Sequence, residues 1–209
     1  MEIKICGITA LEEVQALNPL KPNYIGLVFT ESKRKISKEQ GKLLYDSIDR
    51  HIKVVGVFRN NTKEYISEIL DYIPLDVVQL HGDEDNEFIE YFREKYQCEI
   101  WKGTSIKNKE DIEKATTFNV DTLILDGSNP GSGEVFPWEL VLDMKTKAKV
   151  FLAGGINEDN VLQGINKLNI HGVDVSSGVE VVKNGKRSKD KDKMEKLIKK
   201  VRESYERKI

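Results

Sequence analysis

The chain has 209 residues, of which 39% are hydrophobic and 33% are charged, a composition typical of a globular protein with a sizeable core. Its 33 basic and 35 acidic residues leave a formal net charge of -2, so no global field attracts nucleic acid or an anionic membrane. No apolar run approaches the length of a membrane span, and the N-terminus lacks the apolar segment of a signal peptide. We therefore expect a cytoplasmic protein, with reduced cysteines and neither nucleic-acid nor membrane partners.

Short β-rich runs alternate with helix-like stretches along the chain. Eight runs are predicted to be strands: Glu2–Cys6, Tyr24–Phe29, Val54–Phe58, Asp76–Leu80, Glu99–Lys102, Thr122–Asp126, Val150–Ala153 and Gly172–Val175. Their apolar stretches are nearly continuous, as in parallel strands covered on both faces. This pattern predicts one α/β domain, residues 1–209, folded as a (β/α)8 barrel. A doubly wound open sheet is the alternative, because the pattern does not show whether the sheet closes.

Two helical stripes support this alternation. The first comprises Ile66, Ile69, Leu70 and Ile73. The second lies in the lysine-rich tail 190–208 and comprises Met194, Leu197, Ile198, Val201 and Tyr205. A tail with such a stripe is typical of a closing helix with a solvated charged face, which we favour over a nucleic-acid contact.

Glycines and serines follow the last two predicted strands. In a barrel, the site lies at the carboxyl ends of the strands, and a phosphate often binds between the loops after strands seven and eight. Gly154-Gly155 lets backbone N–H groups approach an anion, and Asn157 can cap the following helix. Ser176-Ser177-Gly178 can open a short extra helix directed at the same anion. The two segments together predict a phosphate site, although each could merely form a tight turn.

Cys6 ends the first predicted strand, directly before Gly7. Buried cysteines usually serve as small core residues, but a strand end of a barrel is a catalytic position. Alternation places Lys4 on the same face of the strand, and a nearby ammonium is expected to lower the pKa of the thiol. Cys98 lacks such surroundings and is interpreted as a packing residue.

Three further polar residues follow predicted strands. Asp126 closes an apolar strand, where partial burial would raise the pKa of its carboxyl and suit it to general acid catalysis, unless it only caps a turn. His81 follows the fourth strand and either acts as an acid or base or lines the pocket. Arg34 lies in a basic loop after the second strand, where it either faces solvent or binds a carboxylate with both arms of its guanidinium.

The ordered motifs of the chain resemble those of the phosphoribosylanthranilate isomerase family of phosphate-binding barrels, and the resemblance spans essentially the whole chain. The motifs are KICGIT, SKR, VGVF, VQLHG, LILD, GSG with a tryptophan five residues later, LAGGI and GVDVSSGVE. KICGIT and DVSSGVE are specific, whereas AGG alone also occurs in other phosphate barrels.

The resemblance implies an Amadori rearrangement of N-(5-phosphoribosyl)anthranilate to 1-(2-carboxyphenylamino)-1-deoxyribulose 5-phosphate in tryptophan biosynthesis. It implies that Asp126 is the general acid that opens the ribose ring and that Cys6 is the base that removes the C2′ proton. It places the anthranilate carboxylate on Arg34. The phosphate loops fall on Gly154, Gly155, Asp174, Ser176 and Ser177. No metal or organic cofactor is implied, and the oligomeric state is left open between monomer and homodimer.

Strand order independently agrees with these roles. Strands six and one lie three places apart in an eight-strand ring, so Asp126 and Cys6 would face each other across the barrel mouth. The phosphate loops lie on the arc between them, and Arg34 lies on the other side of Cys6. A substrate with phosphate at one end and carboxylate at the other could thus present its ribose to both groups.

Some segments depart from the family pattern. The loop after the sixth strand has Glu134 where the family usually has a lysine, so an anion contact there is in doubt. The segments 102–104 and 185–190 also differ.

Three alternatives compete with this interpretation. A histidine-pathway or dual-substrate sugar-phosphate isomerase would carry an aspartate in place of Cys6. An indole-glycerol phosphate synthase would need a catalytic lysine–glutamate set and a longer N-terminus, and neither is visible in this sequence. A barrel that only binds a phosphorylated ligand is not excluded by the motifs.

Overall fold

Eight parallel strands form a closed barrel in the computed structural model, which describes residues 1–127, 137–183 and 185–206. The strands are β1 Glu2–Cys6, β2 Tyr24–Val28, β3 Lys53–Phe58, β4 Val77–Leu80, β5 Glu99–Ser105, β6 Thr122–Asp126, β7 Lys149–Leu152 and β8 Gly172–Val175. They follow one another around the barrel in chain order, and β8 pairs with β1 to close it. The predicted (β/α)8 barrel is confirmed, and the open sheet is wrong.

The strand bounds agree with the prediction to within one residue at each end, except in β5. This strand was expected to end at Lys102 but extends to Ser105. Its last residues pair in register with β6, so that Ser105 lies opposite Asp126. The segment 103–105 lacks the apolar pattern of a strand, and only its pairing with β6 reveals it.

Helices cover the outside of the barrel. They are α1 Leu11–Leu17, α2 Lys38–Ser47, α3 Lys63–Tyr72, α4 Asn86–Tyr96, α5 Lys109–Thr116, α6 Val161–Lys167 and α7 Lys191–Glu206. Four of them begin after a side chain that accepts a hydrogen bond from the backbone N–H three residues later, namely Ser37, Thr62, Asp85 and Asn108. In the described part of the connection between β6 and β7, a 3-10 helix occupies Trp138–Val141.

The strands separate two apolar layers. The predicted stripe of α3 is buried in the outer layer, between helices and strands. Inside the barrel, the rings of Tyr24, Trp101 and Phe151 pack edge to face or tilted, with centroids 4.6–5.9 Å apart. A Cβ atom at Gly172 would lie 2.5 Å from the Phe151 ring, so this position requires glycine. The barrel interior is therefore a packed core rather than a pore.

An antiparallel hairpin, which the sequence did not predict, follows β8. Its strands are β9 Glu180–Lys183 and β10 Lys186–Lys189, and it leads directly into α7. The closing helix is confirmed, because its stripe residues Met194, Leu197, Ile198 and Val201 are buried, while the side chain of Tyr205 lies outside the described part. Among the helices that the structure describes, none has the length and apolar composition that a bilayer crossing requires.

Two adjacent leucines in α2 provide a test of this layering. Leu44 is 1% exposed and packs in the outer core, whereas Leu43 is 54% exposed. We expect Leu44→Ala to lower the free energy of unfolding by about 2–5 kcal/mol through lost burial and a residual cavity. Leu43→Ala is the matched control and should change it by less than about 0.5 kcal/mol. Urea denaturation of both variants measures the difference, and equal effects would contradict the placement of α2.

Candidate active site

A cavity of about 490 Å³ opens at the carboxyl ends of the strands. All nine residues that were predicted to be catalytic or substrate-binding line it: Cys6, Arg34, His81, Asp126, Gly154, Gly155, Asp174, Ser176 and Ser177. The loop segment 131–134, including Glu134, lies outside the described residues. Because β1, β2, β4, β6, β7 and β8 end at the same rim, residues distant in sequence meet at one cavity.

Glycines shape the surroundings of Cys6. Gly26 is its register partner on β2, and a Cβ atom there would lie 2.6 Å from the Cys6 Sγ. Gly7 has a φ of 80°, in the left-handed region, and a Cβ atom there would lie 2.3 Å from Arg34 Cδ. The chain therefore turns directly after the thiol and lets the Arg34 side chain pass close to it.

The predicted direction of the Cys6 pKa shift is wrong. Burial raises the pKa of the Cys6 thiol above its ordinary value, and the ammonium of Lys4 only opposes this rise. The carboxylate of Asp174 adds to the rise, while the cation of Lys189 opposes it. The sequence identified the cation correctly but could not reveal how far the thiol is removed from water.

Lys4 is fully buried and joins two other strands across the barrel. Its Nζ donates hydrogen bonds of 2.7 Å to Gln79 Oε1 on β4 and to Asp174 Oδ2 on β8. Burial opposes the charge of Lys4, but the carboxylate of Asp174 raises the Lys4 pKa above its ordinary value. The second carboxylate oxygen of Asp174 has no hydrogen-bond partner among the described residues. Asp174 therefore brings a carboxyl group that is held by Lys4 through one oxygen to the cavity wall.

Asp126 lies at the end of β6 and is 7% exposed. Burial raises the pKa of its carboxyl to about 6, and the neighbouring Asp174 carboxylate adds to the rise. A hydrogen bond of 2.8 Å from the backbone N–H of Gly127 to Oδ1, together with the charge of Lys4, opposes it. The predicted upward shift is confirmed, and desolvation is its main cause, as expected.

The glycine and serine loops after β7 and β8 lie against each other. Gly154 and Gly155 have φ values of 74° and 67°, so their backbone adopts a conformation that side chains rarely allow. A Cβ atom at Gly178 would lie 1.9 Å from the Ile156 carbonyl oxygen, so the two loops touch. Ser177–Val179 forms the predicted short helix, of the 3-10 type.

Asn157 does not cap the helix in the predicted way. The N-cap position of α6 is Asn160, and the Asn157 side chain instead accepts a hydrogen bond of 2.8 Å from the Asp159 N–H. Asn160 Nδ2 donates to the Gly155 carbonyl at 2.8 Å and so supports the glycine turn. A turn between the glycines and α6 shifts the helix start by several residues.

Arg34 is held by a carboxylate of the protein itself. Its Nε donates to Glu180 Oε1 at 2.6 Å and its Nη2 to Oε2 at 2.9 Å. Arg187 and Lys189 also pair with Glu180. Sequence reasoning missed these three residues, although Glu180 ends the quoted GVE motif. Only the hairpin places the two basic residues beside Arg34.

His81 is neutral near neutral pH. Burial, together with the cations of Lys4, Lys102 and Arg59, lowers the pKa of its imidazole to about 3. It lies at the rim of the cavity, where a Cβ atom at Gly103 would lie 2.3 Å from its ring. His81 therefore lacks the proton that a cationic acid would donate, which favours the pocket-lining interpretation.

Comparison with known proteins gives a consistent result. The family model of N-(5'phosphoribosyl)anthranilate (PRA) isomerase matches residues 3–200. An N-(5'-phosphoribosyl)anthranilate isomerase of Acetivibrio thermocellus is 43% identical, over 97% of this chain and 96% of the relative. The crystal structure of a phosphoribosyl anthranilate isomerase from Thermus thermophilus superposes with a TM-score of 0.87 at 31% identity, over 98% of this chain and 100% of the other.

A further solved structure contains a ligand. It is a phosphoribosyl anthranilate isomerase in complex with reduced 1-(o-carboxyphenylamino)-1-deoxyribulose 5-phosphate, with a TM-score of 0.83 and 32% identity, over 97% of this chain and 99% of the other. The fold and these matches place the chain among the (β/α)8-barrel isomerases. Within that class, it belongs to the N-(5'-phosphoribosyl)anthranilate isomerase family.

The buried Asp126 carboxyl predicts a pH-dependent gain in stability on substitution. Its pKa of about 6 exceeds the ordinary value of about 3.9, so the folded state binds this proton more tightly than the unfolded state does. Ionisation of Asp126 therefore destabilises the folded state, and this destabilisation develops as the pH rises from about 4 to 6 and persists at higher pH. We expect the stability difference between Asp126→Asn and the unsubstituted protein to be about 2 kcal/mol more favourable near pH 7.5 than near pH 4.

Urea denaturation at a series of pH values measures this difference. Asp143→Asn, the same substitution at an exposed position, is the matched control for the chemical change itself, and its stability is measured alongside at each pH. A stability difference for Asp126→Asn that stays constant with pH would contradict the raised pKa.

Proposed function

We propose that this protein catalyses the Amadori rearrangement of N-(5-phosphoribosyl)anthranilate to 1-(2-carboxyphenylamino)-1-deoxyribulose 5-phosphate in tryptophan biosynthesis. The observation that carries the proposal is the placement of a thiol and a protonatable buried carboxyl, Cys6 and Asp126, on one cavity. Family membership and the ligand of the solved relative support the substrate class. We infer that residues 1–209 act as one catalytic domain, since strands from Glu2 to Val175 close one barrel.

Asp126 is proposed as the general acid. Its proton goes to the furanose ring oxygen, the bond from that oxygen to C1′ breaks, and a protonated Schiff base forms between C1′ and the anthranilate nitrogen. An aspartate with an ordinary pKa is almost fully ionised near neutral pH and would be a poor donor. Burial keeps a larger fraction of Asp126 protonated, because its pKa is about 6.

Cys6 is proposed as the general base. Its thiolate removes the C2′ proton, and the electron pair of that C–H bond forms the C1′–C2′ double bond of an enolamine. Return of a proton to C1′ and loss of the hydroxyl proton at C2′ give the ketone. Hydrogen moves within one molecule, so the balance requires no oxidant or reductant.

The two ends of the substrate are assigned to different groups of residues on the cavity. We propose that the phosphate binds the loop backbones at Gly154-Gly155, where positive φ values let N–H groups approach an anion, and at Ser176-Ser177, where the short 3-10 helix begins. The anthranilate carboxylate is proposed to bind the Arg34 guanidinium. The Nε–Nη2 edge of Arg34 is used by Glu180, so the substrate would take its remaining donors.

Asp174 receives a different role from the one that the family resemblance implied. A carboxylate repels a phosphate, and Asp174 is already paired with Lys4 at 2.7 Å. Its Oδ1, which has no hydrogen-bond partner among the described residues, is an acceptor on the cavity wall. We propose that it accepts a hydrogen bond from a ribose hydroxyl and so orients the sugar between acid and base.

The two cysteines allow a direct test of the proposed base. Cys6→Ala should lower the turnover of phosphoribosylanthranilate by about a hundredfold or more, the usual scale for loss of a general base. Cys98 lies away from the cavity, so Cys98→Ala is the control and should leave turnover unchanged. A steady-state assay on this substrate measures both. Normal turnover by Cys6→Ala would remove Cys6 from the mechanism, and no turnover by the unsubstituted protein would reject the proposed function.

The pKa order of the two groups predicts the pH profile of kcat/KM. Cys6 must act as thiolate and Asp126 as acid, yet the Cys6 pKa is raised and the Asp126 pKa is about 6. The active form is then a minor one, whose share rises with pH up to about 6 and then stays constant. It falls only above the raised pKa of Cys6. We expect kcat/KM, measured across pH, to be constant between the pKa of Asp126 and the raised pKa of Cys6 and to fall on either side of this range.

This order reverses the simple expectation that the acidic limb reports Cys6 and the basic limb reports Asp126. A kcat/KM that declines steadily as pH rises through 6 would contradict the requirement for a thiolate. Cys98→Ala should reproduce the profile of the unsubstituted enzyme.

A further inference from the structure

Arg187 lines the cavity and has no role in the mechanism above. It comes from β10, the second strand of the hairpin, and its Nη1 donates to Glu180 Oε2 at 2.8 Å. Arg34 Nη2 donates to the same oxygen at 2.9 Å. Two guanidinium groups from separate parts of the chain therefore lie side by side at the rim of the cavity.

Most donors of this arginine pair have no hydrogen-bond partner among the described residues. A guanidinium carries five N–H donors, and the described hydrogen bonds involve only Nε and Nη2 of Arg34 and Nη1 of Arg187. The side chain of Arg187 is 36% exposed, whereas that of Arg34 is 12% exposed. Both residues border the cavity, so an anion entering there could reach donors from both.

The charge balance at Glu180 also favours an additional anion. Three cations, Arg34, Arg187 and Lys189, surround this one carboxylate. Although burial opposes its charge, these cations hold the pKa of Glu180 at about 2, so it stays ionised. The single carboxylate of Glu180 does not balance these three cations, and two of them, Arg34 and Arg187, line the cavity.

The neighbours of each cation indicate which anion Arg187 would bind. Lys189 lies on the phosphate side, since its Nζ donates to the Ser176 carbonyl at 3.1 Å and approaches Ser176 Oγ at 3.2 Å. Arg187 shares Glu180 Oε2 with Arg34, the proposed carboxylate-binding residue, and unlike Lys189 it makes no hydrogen bond to Ser176 among the described residues. Its position therefore matches the aromatic end of the substrate rather than the phosphate.

We propose that Arg187 is a second substrate-binding residue, which together with Arg34 binds the carboxylate of the aromatic ring and selects for substrates that carry it. This inference rests on the proposed function. Planar guanidinium groups suit such a pair, because each presents parallel N–H donors to a carboxylate. Glu180 acts as the positioning residue that holds both arginines side by side despite their like charge.

Two probes separate the possible roles of Arg187. They are the reduced product, 1-(o-carboxyphenylamino)-1-deoxyribulose 5-phosphate after reduction, and the same compound without its carboxyl group. Arg187→Gln should weaken binding of the carboxylated probe by about tenfold or more, the scale of a hydrogen bond to a charged group. Binding of the other probe should be unchanged. KM for the substrate should rise by a similar factor while kcat changes little, and Arg187→Lys should recover only part of the loss.

Lys186→Gln is the matched control, because Lys186 is an exposed cation on the same strand and does not line the cavity. It should leave both affinities unchanged, and equal melting temperatures would show that both variants fold. Equal weakening of both probes by Arg187→Gln would overturn the proposal in favour of a phosphate contact, and no weakening would leave Arg187 a surface residue. Failure of the proposed function is distinguishable, because the unsubstituted protein would then neither turn over substrate nor bind either probe.

Discussion

The ion pair between Lys4 and Asp174 is the interaction on which both the barrel closure and the proposed chemistry depend. The two residues are register partners on β1 and β8, where the first and last strands meet. Lys4 is fully buried and Asp174 is 8% exposed, so removing one partner would leave an unpaired charge in the core. Breaking a buried pair in this way costs about 3–5 kcal/mol. Apolar residues of similar volume could close a barrel at a lower cost in free energy, which indicates that the ion pair serves the site.

The two charges of the pair shift the pKa values of the two proposed catalytic groups in opposite directions. Lys4 favours the Cys6 thiolate while Asp174 disfavours it, and Asp174 favours a protonated Asp126 while Lys4 disfavours it. Desolvation exceeds both influences and raises both pKa values. Such a site favours a proton on the acid at the expense of the thiolate. The Asp126 carboxyl can then donate its proton, and the Cys6 thiolate is a strong base that is present in only a small fraction of the molecules.

A second set of ion pairs and hydrogen bonds connects the hairpin to the mouth of the barrel. Glu180 binds Arg34, Arg187 and Lys189, and Glu13 of α1 accepts a hydrogen bond of 2.6 Å from the Lys189 N–H. Glu13 also accepts from the Thr9 N–H at 2.7 Å, in the turn that follows β1. Buried carboxylates thus connect the hairpin to the loops after β1 and β2. This arrangement brings basic side chains to the cavity without a separate domain.

Local sequence patterns determined much of this protein by themselves. Apolar runs defined eight strands, and chemistry-bearing residue types at their ends identified eight of the nine candidate positions on one cavity, while the family resemblance added Asp174. This works because parallel strands end at one rim, so position along the chain predicts position in space. Tertiary structure alone decided the sign of the Cys6 pKa shift, the end of β5 and the hairpin with Arg187 and Glu180. Desolvation, strand pairing and distant ion pairs depend on what surrounds a residue in space, and no local pattern encodes those surroundings.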